Sequence, residues 1–72
     1  MTDREWIDAF AAALGTPAPD DTQFSRLLEL AGVAAHASQR TAAPVACWLA
    51  ARSGRGIDEV LAMAREIPAG SP

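Results

Sequence analysis

A line of polar residues along the second predicted helix is the pattern in this sequence that could carry chemistry. Ser25, Glu29, Gly32, His36 and Arg40 follow one another at intervals of 4, 3, 4 and 4 residues. At about 3.6 residues per turn, this spacing places them on one side of a helix. Because glycine inside a helix costs up to about 1 kcal/mol relative to alanine, Gly32 indicates that another group approaches the backbone closely.

Two interpretations of this line remain open. In the first, Glu29, Gly32, His36 and Arg40 form a shallow polar interaction surface. His36 and Arg40 would donate hydrogen bonds there to a carboxylate, a phosphate or the backbone of a partner protein. In the second and plainer interpretation, the line is a solvated face, and Gly32 accommodates another helix of the same domain.

Arginines near the third helix are candidate contacts for an anion. Arg52 and Arg55 flank Ser53 and Gly54, and Gly56 follows. Glycines and arginines beside a helix N-terminus can bind phosphate. The phosphate-binding motif G-x-x-x-x-G-K-[ST] is absent, so this stretch is more simply a turn between helices. In a ligand-binding alternative, His36 and Arg40 hold the phosphates of a pterin or a nucleotide, and Arg40, Arg52 and Arg55 are the candidate anion contacts.

The sequence offers little for catalysis or for a metal. Zinc needs three or four ligands, and only His36 and Cys47 are soft candidates. Cys47 lies among alanines on an apolar helix, which predicts a buried structural thiol, since reactive thiols lie in accessible electropositive pockets. We therefore expect no metal site, no cofactor and no enzymatic activity.

The elements that position these residues are all helical. Thr2 is a candidate N-cap for the first helix, Gly15 suits its C-terminal end, and Pro17 prevents its continuation. No stretch alternates between apolar and polar residues as a strand would. The sequence predicts an all-α fold, a compact bundle of four short helices at about 3–14, 21–39, 43–52 and 57–67. Residues 1–68 form one domain, and 69–72 form a disordered tail.

Apolar spacing predicts which helix faces are buried. Trp6, Phe10, Ala13 and Leu14 fall on one stripe of the first helix, which we expect to face the core. The second helix is apolar around most of its circumference and should be the central one. Trp6 and Trp48 most simply complete the core, although a docking role for one of them remains an alternative.

Size and charge restrict the partners. A chain of 72 residues forms only a marginal core, and a single cysteine excludes an internal disulfide. A partner subunit or homodimerisation is therefore an open source of additional stability. A net charge of -3 disfavours nucleic acid, which requires a basic surface. The sequence has no apolar run long enough to cross a membrane and no apolar signal core, so we expect a cytoplasmic location without membrane contact.

Residues 27–44 resemble the signature of a small actinobacterial domain family without assigned function. Its pattern is a leucine-rich helix ending in Ala-His, then an arginine, then Ala-Ala-Pro opening the next helix. The matching residues are Ala35, His36, Arg40, Ala42, Ala43 and Pro44. Trp6 with residues 11–14, and residues 57–61, also resemble that family, so the resemblance covers about residues 4–67.

This resemblance implies a biological context. Members of that family occur alone and also fused behind the nucleotidyltransferase that makes the guanine dinucleotide form of the molybdenum cofactor. The implied role is an accessory, protein-binding domain in the biosynthesis or delivery of that cofactor. The implied partner is an enzyme that synthesises the molybdenum cofactor or one that uses it. The resemblance supplies no catalytic residues.

Overall fold

The computed structural model describes residues 1–69, and these contain four α-helices and no strand. The helices are α1 (Asp3–Leu14), α2 (Asp21–Ala37), α3 (Ala42–Ser53) and α4 (Ile57–Glu66). The predicted all-α class with four helices is therefore confirmed. Most of the tail predicted at 69–72 lies outside the described residues.

Local hydrogen bonds determine where α1 and α2 begin. The Glu5 amide donates to the Thr2 hydroxyl over 3.1 Å, and the Thr2 amide donates to the Glu5 carboxylate over 2.8 Å. Asp20 and Gln23 form the same reciprocal pair at the start of α2. Each pair satisfies two donors that a helix start leaves unpaired. Gly15 ends α1 in the left-handed region, at a φ of 74°, as the sequence predicted.

The end of α2 differs from the prediction. We expected this helix to continue to Gln39, but it stops after Ala37, and Ser38 has a non-helical φ of -141° and ψ of -104°. The carbonyls of Gln39 and Arg40 instead accept hydrogen bonds from the amides of Ala42 and Ala43. These hydrogen bonds form the turn that precedes α3, so α2 does not continue for a further turn.

The second helix is the centre of the fold, as predicted. Both α3 and α4 pack against α2. Leu30 of α2 and Leu61 of α4 are 2% and 3% exposed and form the core together with Ala11 of α1. On α3, the half-buried residues are small: Ala42, Ala43, Ala46, Cys47 and Ala50. Small side chains allow two helices to approach closely, so α3 packs through its alanines and its large apolar residues point elsewhere.

The first helix is attached through a different face from the predicted one. Arg4 forms an ion pair with Asp21 and lies over the Phe24 ring, while Ala11 is buried and Ile7 is half-buried. The stripe that we expected to face the core is solvent-exposed instead, with Trp6, Phe10 and Leu14 at 54%, 48% and 63%. That prediction was wrong because α1 has two apolar sides, and the side with the smaller side chains is the one that packs.

Candidate functional site

The predicted polar line on α2 is only partly formed. Glu29, Gly32 and His36 belong to α2, and their spacing places them on one side of it. Arg40 does not continue the line, because the helix ends at Ala37 and Arg40 lies in the turn that leads into α3. The four residues therefore do not form one continuous helical surface.

Glu29 is occupied by ion pairs within the domain. Its carboxylate accepts hydrogen bonds from Arg26 over 3.0 Å and from Arg65 of α4 over 3.3 Å. Arg26 also donates to Asp58 of α4 over 3.0 Å. The negative charges of Glu29 and Asp58 raise the pKa of Arg26. The Arg26–Asp58 and Arg65–Glu29 pairs connect α2 to α4, and their contribution to stability is small because solvent screens them.

Gly32 leaves open space beside α2. A Cβ atom added at Gly32 would have no neighbouring heavy atom within 4 Å, apart from the surrounding backbone of its own helix. No other helix of the described chain therefore fills this position, and the interpretation that Gly32 accommodates a neighbouring helix is wrong. His36, one turn further along, is exposed.

The three arginines predicted as anion contacts are not brought together. Arg55 forms an ion pair with Glu59. Arg52 lies over the Trp48 ring, with its Cζ atom 4.7 Å from the ring centroid. Arg40 precedes α3 whereas Arg52 is in its last turn, so about 15 Å of helix separates their backbones at 1.5 Å per residue. The geometry does not favour a single phosphate site built from all three.

Cys47 has the surroundings of a structural thiol. The residue is half-buried, and burial raises the pKa of its thiol. Its sulfur lies 3.9 Å from the carbonyl oxygen of Leu27. Within residues 1–69, no three His, Cys, Asp or Glu side chains form a group that could hold a metal ion.

Large apolar residues are exposed on one face of α3. Val45 and Trp48 are 56% and 58% exposed, and with Arg52 they form what we call the α3 outer stripe, at spacings of three and four residues. The expectation that Trp48 completes the core is wrong. The sequence contains a signal for the exposure of Trp48. A second set of residues recurs at helical spacing on α3 and allows closer packing against α2, namely the small residues Ala43, Ala46, Cys47 and Ala50.

The first helix carries a comparable surface. Asp3, Trp6, Phe10 and Leu14 recur at intervals of three, four and four residues and form what we call the α1 outer stripe. The Trp6 and Phe10 rings contact each other, with their centroids 5.2 Å apart. Sequence reasoning identified the apolar members of this stripe but assigned them to the core.

A groove lies between α3 and α4. Leu30 of α2 is among its lining residues; Ala46 and Leu49 line it from α3, and Met63, Ala64 and Ile67 line it from α4. Its volume is about 720 Å³. Leu49, Met63 and Ile67 are 57%, 46% and 67% exposed. This α3–α4 groove was not predicted from the sequence, since it depends on how α3 and α4 separate around α2.

The amount of exposed surface is large for the size of the chain. The accessible surface is 5502 Å² for a mass of 7.5 kDa. Folded monomers of this mass expose roughly 4,200 Å² by the usual scaling of surface with mass. The excess is larger than the area, about 800 Å², that one protein contributes to a standard interface.

No helix within residues 1–69 combines the length and the apolar character that crossing a membrane requires.

Comparison with known proteins gives one family match. A family model described as a domain of unknown function, DUF6457, matches residues 2–67. No curated protein matches the chain, and no solved structure matches it.

Proposed function

Because the chain belongs to the DUF6457 family of domains of unknown function, its role has to be inferred from its own surface, and we propose that it is a non-catalytic accessory domain that binds another protein. The observation that carries this proposal is the α3–α4 groove, which is open, apolar and about 720 Å³ in volume. Monomeric proteins rarely leave large contiguous apolar surfaces uncovered unless a partner binds there.

The groove has the form of a site for an amphipathic helix. Two helices flank it, and exposed Leu49, Met63 and Ile67 line it. Helices that bind in such grooves insert apolar side chains at intervals of three and four residues. We infer that the partner presents a helix of this kind, with its affinity concentrated in a few apolar anchors.

The proposed context is the biosynthesis or delivery of the molybdenum cofactor. It is supported by the resemblance carried by Ala35, His36, Arg40 and the Ala-Ala-Pro segment at 42–44. The partner we propose is the enzyme that attaches the guanine nucleotide to this cofactor, or an enzyme that uses the product. His36 and Arg40 are exposed near the junction of α2 and α3 and would add polar contacts to specify that partner.

A calorimetric titration of the full chain against the purified guanine nucleotide-attaching enzyme tests this proposal. Wild type should bind, and Met63→Asp should reduce affinity by about 100-fold or more, because a carboxylate would be buried against apolar anchors. The matched control is Leu28→Asp. Leu28 is 59% exposed and is not among the residues that line the groove, so this variant should bind like wild type.

The possible outcomes separate the parts of the proposal. If wild type binds neither this enzyme nor a molybdoenzyme, the proposed context is wrong. Equal losses in the Met63 and Leu28 variants would instead contradict the groove as the binding site. Direct binding of a pterin or a guanine nucleotide to wild type, lost in Arg40→Ala, would favour a ligand-binding domain over an accessory one.

A further inference from the structure

The α1 and α3 outer stripes have complementary features. Each lies on a helix of 12 residues, and each exposes an aromatic centre, Trp6 with Phe10 on α1 and Trp48 on α3. Neither stripe is covered by another part of residues 1–69, as the exposure of these rings shows. Two exposed apolar faces of this kind can cover each other.

The charges at the ends of the two stripes are opposite. Asp3 begins the α1 outer stripe, and its carboxylate has one hydrogen-bond donor in the described structure, the Arg4 backbone amide. Arg52 ends the α3 outer stripe and forms no ion pair within residues 1–69. Its guanidinium is stacked on Trp48, which leaves its N–H groups at the edge free to bind a carboxylate.

We propose that α1 of one copy of this chain packs antiparallel on α3 of a second copy, and that the same contact is repeated reciprocally in a two-fold dimer. In this register Asp3 meets Arg52 of the second copy, and Trp6 and Phe10 meet Trp48 and Val45. The two helix dipoles then run in opposite directions, so their ends of opposite partial charge are adjacent.

Arg40 gives a second reason for this orientation. No basic residue occupies the last turn of α1, where the partial negative charge of the helix dipole favours a cation. Arg40 precedes α3 and has no ion pair among the described residues. In the antiparallel arrangement it lies beside the C-terminal end of α1 of the second copy.

The available area is sufficient for such a dimer. The exposed parts of Trp6, Phe10, Leu14, Val45 and Trp48 amount to on the order of 600 Å² per copy, given about 150 to 250 Å² for a whole aromatic side chain. A standard interface takes about 600 to 1,000 Å² from each partner. The α3–α4 groove stays open in this arrangement, since neither Trp48 nor Val45 lines it. The dimer is therefore independent of the function proposed above.

Exchange of the two charges provides the test. Sedimentation velocity on the full chain across a concentration series should show a dimer for wild type. Asp3→Arg and Arg52→Asp should each weaken dimerisation by about tenfold, because each dimer then contains two repulsive pairs in place of two attractive ones. An equimolar mixture of the two variants should recover the dimer, since each reversed charge then meets its opposite in the other chain.

Two controls make the result decisive. Asp8→Arg makes the same charge change on the opposite side of α1, so it should leave dimerisation unchanged. Trp48→Ala should weaken dimerisation more than either charge reversal, because it removes the apolar centre. Recovery in the mixture also shows that both variants are folded.

Three results would overturn the proposal. The first is a wild-type chain that stays monomeric at every concentration, and the second is a mixture that stays monomeric although both variants have native circular dichroism spectra. The third is a loss of dimerisation with Asp8→Arg that equals the loss with Asp3→Arg.

Discussion

The guanidinium of Arg4 in α1 lies over the ring of Phe24 in α2, with its Cζ atom 4.2 Å from the ring centroid. The same guanidinium forms an ion pair with Asp21. Both contacts lie at the start of α1, whereas the chain between the two helices leaves from its other end. A helix of 12 residues spans about 18 Å, so the connector at 15–20 has to run back along the domain to bring Asp21 beside Arg4.

Replacing Arg4 with methionine should therefore loosen α1. The variant keeps an unbranched side chain but loses the cation, and we expect the free energy of unfolding to fall by about 1 kcal/mol. Urea denaturation followed by circular dichroism measures this change. Arg65→Met is the control, because Arg65 has a single ion pair of 3.3 Å and should cost less. Equal losses in the two variants would show that the Phe24 contact contributes nothing.

The capping pair of α1 predicts a dependence of stability on pH. The Thr2 backbone amide, and then the Thr2 side chain, hold the pKa of Glu5 below its ordinary value of 4.5. A carboxyl with a depressed pKa in the folded state stabilises the fold above its unfolded pKa, and this contribution is lost as the pH falls through the folded value.

Comparison with Glu5→Gln isolates that effect. Glutamine can still accept a hydrogen bond from Thr2 but does not titrate. The melting temperature of wild type should therefore fall more steeply than that of the variant as the pH decreases below about 4.5. Parallel curves for the two proteins would mean that the Thr2 contacts do not favour the ionised carboxylate.

Gly32→Ala should stabilise the domain. The added Cβ atom meets no heavy atom within 4 Å beyond the surrounding helix backbone, and alanine is favoured over glycine inside a helix by about 0.5 to 1 kcal/mol. Gly15→Ala should do the reverse, because Gly15 has a φ of 74°, which strains a residue with a side chain. Chemical denaturation of both variants checks the signs. A loss of stability in Gly32→Ala would contradict the open space seen beside α2.

Cys47 should react slowly with alkylating reagents. Burial raises the pKa of its thiol, and the thiolate is the reactive form. At neutral pH, the rate of modification by iodoacetamide should be well below that of the same chain unfolded in urea, and the rate in the folded protein should increase only at higher pH. Equal rates in the folded and unfolded chains would show an accessible, unperturbed thiol.

Local signals explain which parts of the fold could be predicted. The bounds of α1 and the start of α2 follow from Thr2, Gly15 and Asp20, whose hydrogen bonds and backbone conformation involve only nearby residues. The end of α2 was missed because Ser38, Gln39 and Arg40 could continue the helix or form the turn before α3. That choice depends on where α3 packs, which the local sequence does not contain.

The candidate surfaces were less predictable for a related reason. On α1 and α3, two apolar faces compete for burial, and periodicity alone does not decide between them. In both helices the face with smaller residues packs: Ile7 and Ala11 on α1, and Ala46 and Ala50 on α3. Trp6 and Trp48 are exposed as a result. On α3, close packing against α2 therefore outweighed burial of the largest side chain.

The central position of α2 also affects how quickly the domain forms. Its two main packing partners are α3 and α4, which are the next two helices along the chain, so the core requires only short loops to close. Domains dominated by such local contacts fold within microseconds to milliseconds, because little chain entropy is lost before the contacts form. We therefore expect the main refolding phase to be rapid, with the joining of α2 and α3 as an early step.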